Sequence, residues 1–159
     1  MMHIREALSA DAPAIVRLFY ETVHRINSRD YSSEQINAWA PAVPDARHWA
    51  DERMSNRLTL VAEEQGTLIG FTELEHSGHV GALFVHHAYQ GRGTGRALVG
   101  QLEREALARG MMHLFVEVSL TARTFFEANG FRIVEEETVI RNEIALRRLR
   151  MDKRLAVAG

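Results

Sequence analysis

The sequence predicts a mixed α/β or α+β sheet with helices packed on it, and three observations carry that reading. Apolar residues repeat at helical spacing in some segments and cluster in short strand-like runs in others. The elements follow in the order β-αα(α)-βββ-α-β-α-ββ, with adjacent strands in the middle and at the end rather than strict alternation. The 159 residues, 46% apolar and 25% charged, suffice for one core and carry too little charge for disorder. No repeat, low-complexity tract or linker interrupts residues 1–159, which read as one domain.

His3 to Ala7 is the first expected strand. Asp11 is placed to cap a helix whose apolar positions Ile15, Val16, Phe19, Val23 and Ile26 keep 3.6-residue spacing. Ser32-Ser33-Glu34 opens a second, short helix that Pro41 ends. Asp45 can cap a third containing Trp49 and Met54. Leu58 to Ala62 and Thr67 to Glu75 form an expected strand pair joined at Glu64-Gln65-Gly66. Ser77-Gly78 turns the chain into a strand from His79 to Val85. A glycine-rich turn, Gln90 to Gly95, feeds a helix to about Arg109 with Leu98, Leu102 and Ala106 on one face, and Gly110 ends it. Met112 to Val118 is the next strand. Thr121 to Asn129 is a short helix closed by Asn129-Gly130 as a left-handed cap. Phe131 to Val139 and Ile144 to Leu155 close the sheet, with Glu135-Glu136-Glu137 and the arginines at 147, 148 and 150 as opposite-charge neighbours on solvated strands.

Several function classes fall away on composition. The 19 Lys+Arg against 21 Asp+Glu give a net charge of −2, so no bulk positive field draws the chain to nucleic acid or a membrane. Lys153 is the sole lysine among those cations, which disfavours Schiff-base chemistry and lysine-based phosphate binding. With no cysteine there is no disulfide, thiolate metal site or cysteine nucleophile. The start, Met1-Met2-His3-Ile4-Arg5-Glu6, lacks a signal-peptide apolar stretch and no run approaches membrane-span length, so the expected compartment is the cytoplasm.

The segment Gln90-Gly91-Arg92-Gly93-Thr94-Gly95-Arg96 carries the most chemistry. Glycines let backbone approach a ligand, and the helix that follows directs free N–H groups at the turn, a cradle suited to a pyrophosphate. Arg92 and Arg96 add donors for phosphate oxygens. A dinucleotide fingerprint fails because Arg96 or Leu98 stands where its last glycine belongs. A P-loop fails for want of Gly-Lys-Ser/Thr. A third pattern, Gln/Arg-x-x-Gly-x-Gly/Ala, is met by Gln90, Gly93 and Gly95; a glycine-rich turn with no ligand is the remaining reading.

With these residues in view, the chain resembles the GNAT superfamily of acyl-CoA-dependent N-acyltransferases along nearly its whole length. Leu83-Phe84-Val85-His86 followed by Tyr89 to Gly95 is similar to that superfamily's acyl-CoA strand and pyrophosphate loop. Phe125-Phe126-Glu127-Ala128-Asn129-Gly130-Phe131 resembles its aromatic helix and Gly-Phe closure. Tyr31 to Gln35 with Ala38-Trp39-Ala40-Pro41, and Ser119-x-Thr121-Ala122, resemble the YafP-type branch. The resemblance implies a mostly antiparallel sheet of six to seven strands, helices on both faces, and a splay between strands 79–85 and 112–118 that admits the pantetheine of acetyl-CoA. By the same analogy the main chain of Leu83 and Val85 pairs with pantetheine, an N–H at Leu83 or Phe84 holds the thioester oxygen, and Ser119, Ala122 and Phe126 join the cofactor site. Transfer then runs by direct attack of a primary amine in a ternary complex.

The resemblance places a base at His79, a residue type whose ordinary pKa suits the task. Glu73 and Glu75, facing the same side of the neighbouring strand, are the other candidates, and the expected base is His79 or Glu73 acting through water. Where many superfamily members carry a tyrosine that protonates the leaving thiolate, this chain has Phe126; the YafP-type branch is similar in carrying phenylalanine there and serine at the Ser119 position. Solvent, Tyr89 or Ser119 would then supply the proton. His24, Tyr31, Trp39 and Trp49 are candidates for the acceptor pocket, with Arg141-Asn142-Glu143 as a further wall. The expected acceptor is a small-molecule amine rather than a protein terminus or lysine. The competing class is an acyl-CoA-binding sensor without turnover, which the phenylalanine favours. Eight histidines raise a metal site, yet strand alternation puts His76 and His79 on opposite faces and makes His86 and His87 diverge, so none is expected. A closing strand exposed at a sheet edge could pair across a homodimer.

Overall fold

The computed structural model describes residues 1–156; the last three residues of the expected domain 1–159 lie outside them. Seven strands form one sheet in the order β1-β2-β3-β4-β5-β7-β6. They are β1 (Met2–Glu6), β2 (Leu58–Glu64), β3 (Thr67–Leu74), β4 (His79–Val85), β5 (His113–Ser119), β6 (Arg132–Arg141) and β7 (Ile144–Arg154). Every neighbouring pair is antiparallel except β4–β5. The helices are α1 (Ala12–Arg25), α2 (Ser33–Trp39), α3 (Ala46–Trp49), α4 (Thr94–Ala108) and α5 (Arg123–Ala128).

Strand alternation divides the core in two. On one face Leu114, Val116 and Val118 of β5 meet Leu98, Leu102 and Ala106 of α4 and Phe126 of α5. On the other, Ile15, Val16 and Leu18 of α1 and Trp49 of α3 pack on Val61, Phe71 and Ala82. The expected apolar face of α4 is thus the buried one. Burial of these side chains is the main term holding helices to the sheet, about 1.5–3 kcal/mol for each fully buried Leu or Ile.

Local signals set most element ends. Ser32 caps α2, its hydroxyl accepting from the Gln35 N–H while the Gln35 side chain accepts from the Ser32 N–H. Asp45 caps α3 through the His48 N–H, and the helix runs on as a π turn, Ala50–Met54. Asp11 behaves otherwise than expected. Its carboxylate accepts from the Leu8 N–H and from the Arg5 guanidinium, at 2.7 and 2.8 Å, so it binds β1 to the approach of α1 rather than capping α1. The β2–β3 turn has Gln65 and Gly66 at φ +51° and +79°, a pair of left-handed residues suited to a tight hairpin. The β6–β7 turn repeats this at Asn142 and Glu143, φ +46° and +68°, without a glycine. Across that last hairpin Arg147, Arg148 and Arg150 each bond Glu136, Glu137 and Glu135 respectively at 2.6 Å, as the charge pattern predicts. β6 lies at the sheet edge.

The parallel β4–β5 pair is only two residues long, His79 with Phe115 and Val80 with Val116. Immediately beyond it, the β3–β4 register shifts between Glu73 and Leu74, leaving Gly81 of β4 as the extra residue of a bulge. A Cβ on Gly81 would stand 2.9 Å from both the Arg57 Nη1 and the Glu73 Oε1, so a larger residue at the bulge would displace that ion pair. The bulge turns β4 away from β5, and the sheet opens into a cleft.

Candidate active site

A cavity of about 740 Å³ fills the opening between β4 and β5. Backbone alternation along β4 sets what its wall offers. His86 donates its N–H to Ile69 of β3, and the Val85 carbonyl instead accepts from the Gln90 side chain at 2.7 Å and the Thr22 hydroxyl at 3.4 Å. Odd-numbered residues at this end of β4 therefore turn their peptide groups from β3 toward the cleft, so Leu83 presents its N–H and C=O there while Phe84 spends its own on β3.

The far end of the cleft is the glycine turn. Gly91 and Gly93 take φ +73° and +86°, and a Cβ on either would project into open space, as befits backbone that receives a ligand. The first α4 hydrogen bond runs from Ala97 N–H to the Gly93 carbonyl, so the N–H groups of Thr94, Gly95 and Arg96 stay unpaired at the helix start. Gly95 must be small for another reason: a Cβ would meet the Phe125 ring at 2.8 Å. Arg96 lines the cavity. Arg92 does not; it lies 3.6 Å from Glu64 and over the Tyr89 ring. Gln90 holds the turn to β4 through the Val85 carbonyl rather than reaching out.

On the β5 side, Val118 and the three residues singled out from the sequence, Ser119, Ala122 and Phe126, line the cavity. The Ser119 Oγ accepts from Asn27 Nδ2 at 3.0 Å and from the Ala122 N–H at 3.2 Å, leaving its own hydrogen to donate. Phe126 is buried edge-on against Phe125 and Phe131. Tyr89, a hydroxyl-bearing alternative, also lines the cavity.

The expected bases lie elsewhere than their role requires. Glu73 is fully buried, gripped by Arg53 and lying 3.7 Å from Arg57, and does not line the cavity. His79 is held between two carboxylates. Its Nε2 lies 2.8 and 3.0 Å from the Glu117 oxygens, and its Nδ1 bonds Glu75. Carboxylates only accept, so both ring nitrogens carry hydrogen and no lone pair is left for a substrate proton. The Glu117 bond raises the His79 pKa above the ordinary histidine value, and the same bond lowers that of Glu117. Glu117 itself lines the cavity. Sequence reasoning missed it, although Ser119 two residues on the same strand had been singled out and alternation puts both on one face.

Phe19, Trp39, Trp49, Arg53, Arg141 and Leu146 also line the cavity. Arg53 stacks over the Trp49 ring at 4.0 Å. Tyr31 lines the cavity, but its hydroxyl is occupied: it donates to the Arg147 carbonyl at 2.6 Å and accepts from the Leu120 N–H at 2.9 Å. Tyr31→Phe strips both bonds from a buried site and is expected to lower unfolding stability by about 1–3 kcal/mol in urea denaturation, with the fold retained. His24 stands apart from the cleft. Thr22 faces the cavity and His24, 200° further round α1, stacks on Tyr20 and bonds the Ala40 carbonyl.

Among the described residues one group of potential metal ligands is close enough to consider, Glu21, His86 and His87. The two histidines do not diverge as strand alternation would have them. β4 ends at Val85, a 3₁₀ turn follows, and the rings stack 4.2 Å apart. Lone pairs lie in ring planes, so rings inclined by only 24° do not converge on one ion, and the His86 Nδ1 already accepts the Ala88 N–H.

Comparison with known proteins adds four likenesses. The family described as the acetyltransferase (GNAT) domain matches residues 27–155. The chain is 31% identical to the uncharacterized N-acetyltransferase YafP of Escherichia coli K12 over 87% of this chain and 86% of that one. It is 30% identical to the peptidyl-lysine N-acetyltransferase YiaC of the same organism, over 83% and 84%. Among solved structures, a GCN5-related N-acetyltransferase from Rhodopseudomonas palustris, described as a class-II aminotransferase, superposes with a TM-score of 0.89 at 36% identity, covering 96% of this chain and 95% of the other.

Proposed function

Because this chain belongs to the GNAT family of acetyltransferases, we propose that it moves acetyl from acetyl-CoA to a small primary amine by direct attack in a ternary complex. The observation that carries the reading is the opening of the sheet at Gly81. It leaves the Leu83 peptide group unpaired in a cleft that ends on the unpaired N–H groups of α4. Pantetheine would lie along Leu83 and Val85, and the pyrophosphate would meet the N–H groups of residues 94–96 and the Arg96 guanidinium.

As the amine nitrogen bonds to the thioester carbon, the developing oxyanion is held by the Leu83 N–H. Glu117, the carboxylate on the cleft wall, takes the proton the nitrogen loses, in place of His79 or Glu73. The thiolate is a tolerable leaving group, since free thiols titrate near ~8.5; Ser119, Tyr89 or water supplies its proton. Without cysteine the chain offers no thiol for a covalent acyl-enzyme.

A small acceptor is supported by the way α2 is tied to the last hairpin. Gln35 Nε2 donates to the Ala145 carbonyl at 3.1 Å and Asn142 Nδ2 to the Ala38 carbonyl at 2.8 Å, so α2 and the hairpin are joined beside the cleft. A peptidyl lysine, the acceptor named for YiaC, needs a way in past these bonds. Phe126 favours a second reading, an acyl-CoA sensor without turnover. The free edge of β6 leaves room for a homodimer, and no helix of the described residues is long and apolar enough to cross a membrane; a cytoplasmic location belongs to the same proposal.

Calorimetric titration with acetyl-CoA, using ATP and NADH as controls, tests the donor, with micromolar affinity expected (roughly −8 kcal/mol). CoA release measured against a panel of primary amines tests transfer. Stimulation by small amines supports the reading; slow release that no amine stimulates makes the chain a sensor, and silence toward acetyl-CoA sinks both readings.

A further inference from the structure

Arg53 and Glu117, on the walls of the cleft, are the ends of one chain of opposite charges that passes behind the Gly81 bulge. Arg53 bonds Glu73 through its Nε at 3.2 Å and through Nη2. The Arg57 Nη1 lies 3.7 Å from both Glu73 and Glu75. Glu75 bonds the His79 Nδ1, and His79 Nε2 spans both oxygens of Glu117. Glu75, midway along and about a third exposed, is where the chain meets solvent, and His79 is its last link before Glu117.

We propose that His79 is a positioning residue, a cationic wedge between Glu75 and Glu117 that aims Glu117 into the cleft and keeps it ionised to receive the acceptor's proton. The role rests on the acetyl-transfer reading for its consequence, but the protonation of the ring does not. Two acceptor-only groups on one imidazole require a hydrogen on each nitrogen, and the bifurcated Nε2 bond fixes the plane of the Glu117 carboxylate. The proton balance is simple. One proton passes from the attacking nitrogen to a Glu117 oxygen as the C–N bond forms and the C–S bond breaks. His79 keeps both of its protons throughout, and Glu117 returns its proton to water when product leaves.

Other charges face Glu117 from every side. Arg150 of β7 is its cross-strand neighbour and Arg148 lies two residues along. Both are already bonded to β6 carboxylates, Glu135 and Glu137 respectively, while Arg53 across the cleft is held by Glu73. His79 is the one cation bonded directly to the Glu117 side chain among the described residues. Removing it raises the Glu117 pKa, so the acid limb of the rate profile moves to higher pH.

The test uses the full chain. In the free protein, nitrogen-detected NMR is expected to find His79 doubly protonated well above the ordinary histidine pKa of ~6.5; a ring that titrates at the ordinary value overturns the proposal whether or not any amine is acetylated. In turnover assays His79→Gln is expected to lower kcat roughly tenfold and to move the acid limb of kcat up by about one pH unit, with KM for acetyl-CoA within about twofold. His79→Lys, which keeps a cation, restores the limb toward its original position. Glu75→Gln, where the chain meets solvent, shifts it the same way by less and stands in if the His79 variants do not fold. An unmoved limb in both His79→Gln and Glu75→Gln overturns the proposal, and a limb that vanishes in His79→Gln while surviving in Glu117→Gln makes His79 the base instead. Wild-type protein that acetylates nothing, yet shows the doubly protonated ring, would sink the acetyl-transfer reading alone.

Discussion

Glu117→Gln is expected to cut kcat by about 10²–10⁴-fold, the range a positioned general base supplies, while KM for acetyl-CoA stays nearly unchanged. The amide keeps the size of the side chain and one acceptor oxygen, so the cleft wall is preserved while the proton acceptor is lost. Steady-state kinetics with the best amine from the panel checks it, and the acid limb of the wild-type profile should disappear with the carboxylate. The proposed donor pose pairs pantetheine with the main chain of Leu83 and Val85, and the substitution changes only the Glu117 side chain, so donor affinity by calorimetry is the control. Full turnover in this variant would remove Glu117 from the mechanism. Glu73→Gln, by contrast, removes half of a buried ion pair with Arg53, so its first effect falls on stability and any loss of rate follows from that.

Gly93→Glu is expected to weaken acetyl-CoA binding by roughly 100-fold, or about 2.8 kcal/mol. Two causes add. Gly93 sits at φ +86°, ψ +3° as the residue preceding α4, where an L side chain costs about 1–2 kcal/mol. The new carboxylate also stands beside the unpaired N–H groups of residues 94–96, competing for them and repelling phosphate. Gly93→Ala separates the causes: its Cβ meets nothing within 4 Å, so it retains the backbone strain without the charge and should lose much less. Parallel titrations of the three proteins, with circular dichroism to show the fold intact, decide the matter. Equal losses in both variants would mean that strain alone governs the loop.

Much of the fold was legible because its signals are local. Ser32 and Asp45 cap the helices they precede, Gly110 and Gly130 stand at positive φ where helices end, and the Leu98-Leu102-Ala106 stripe faces the core. The glycine turn was legible for the same reason, as a short run whose neighbours fix its conformation. What was hidden depends on partners distant in the sequence. Asp11 reads as a cap until Arg5 on β1 reaches it. His79 reads as a competent base until β5, more than thirty residues later, sets Glu117 against its Nε2 and the β3–β4 turn sets Glu75 against its Nδ1. Glu73 and Glu75 do share a side, as alternation predicts, but both meet Arg57 from the segment before β2, and Arg53 buries Glu73 altogether. His86 and His87 misled because alternation stops where β4 stops. The Gly81 bulge had a visible cue, a glycine within a strand run, yet its meaning came only from the register it breaks.

The two-residue contact between β4 and β5 has a bearing on the life of the protein in a cell. Two parts of the sheet, β1–β4 and β5–β7, meet edge to edge over a single short seam, and beyond it Leu83 and Val85 hold out backbone groups that no strand satisfies. In the proposed pose, a donor molecule lying there would close the gap as an eighth strand would, and only in the folded chain. At a hundred times its dissociation constant such a ligand adds about 2.7 kcal/mol to the free energy of unfolding. The supply of acyl donor would thereby govern how long each copy survives against proteolysis, as well as how fast it works.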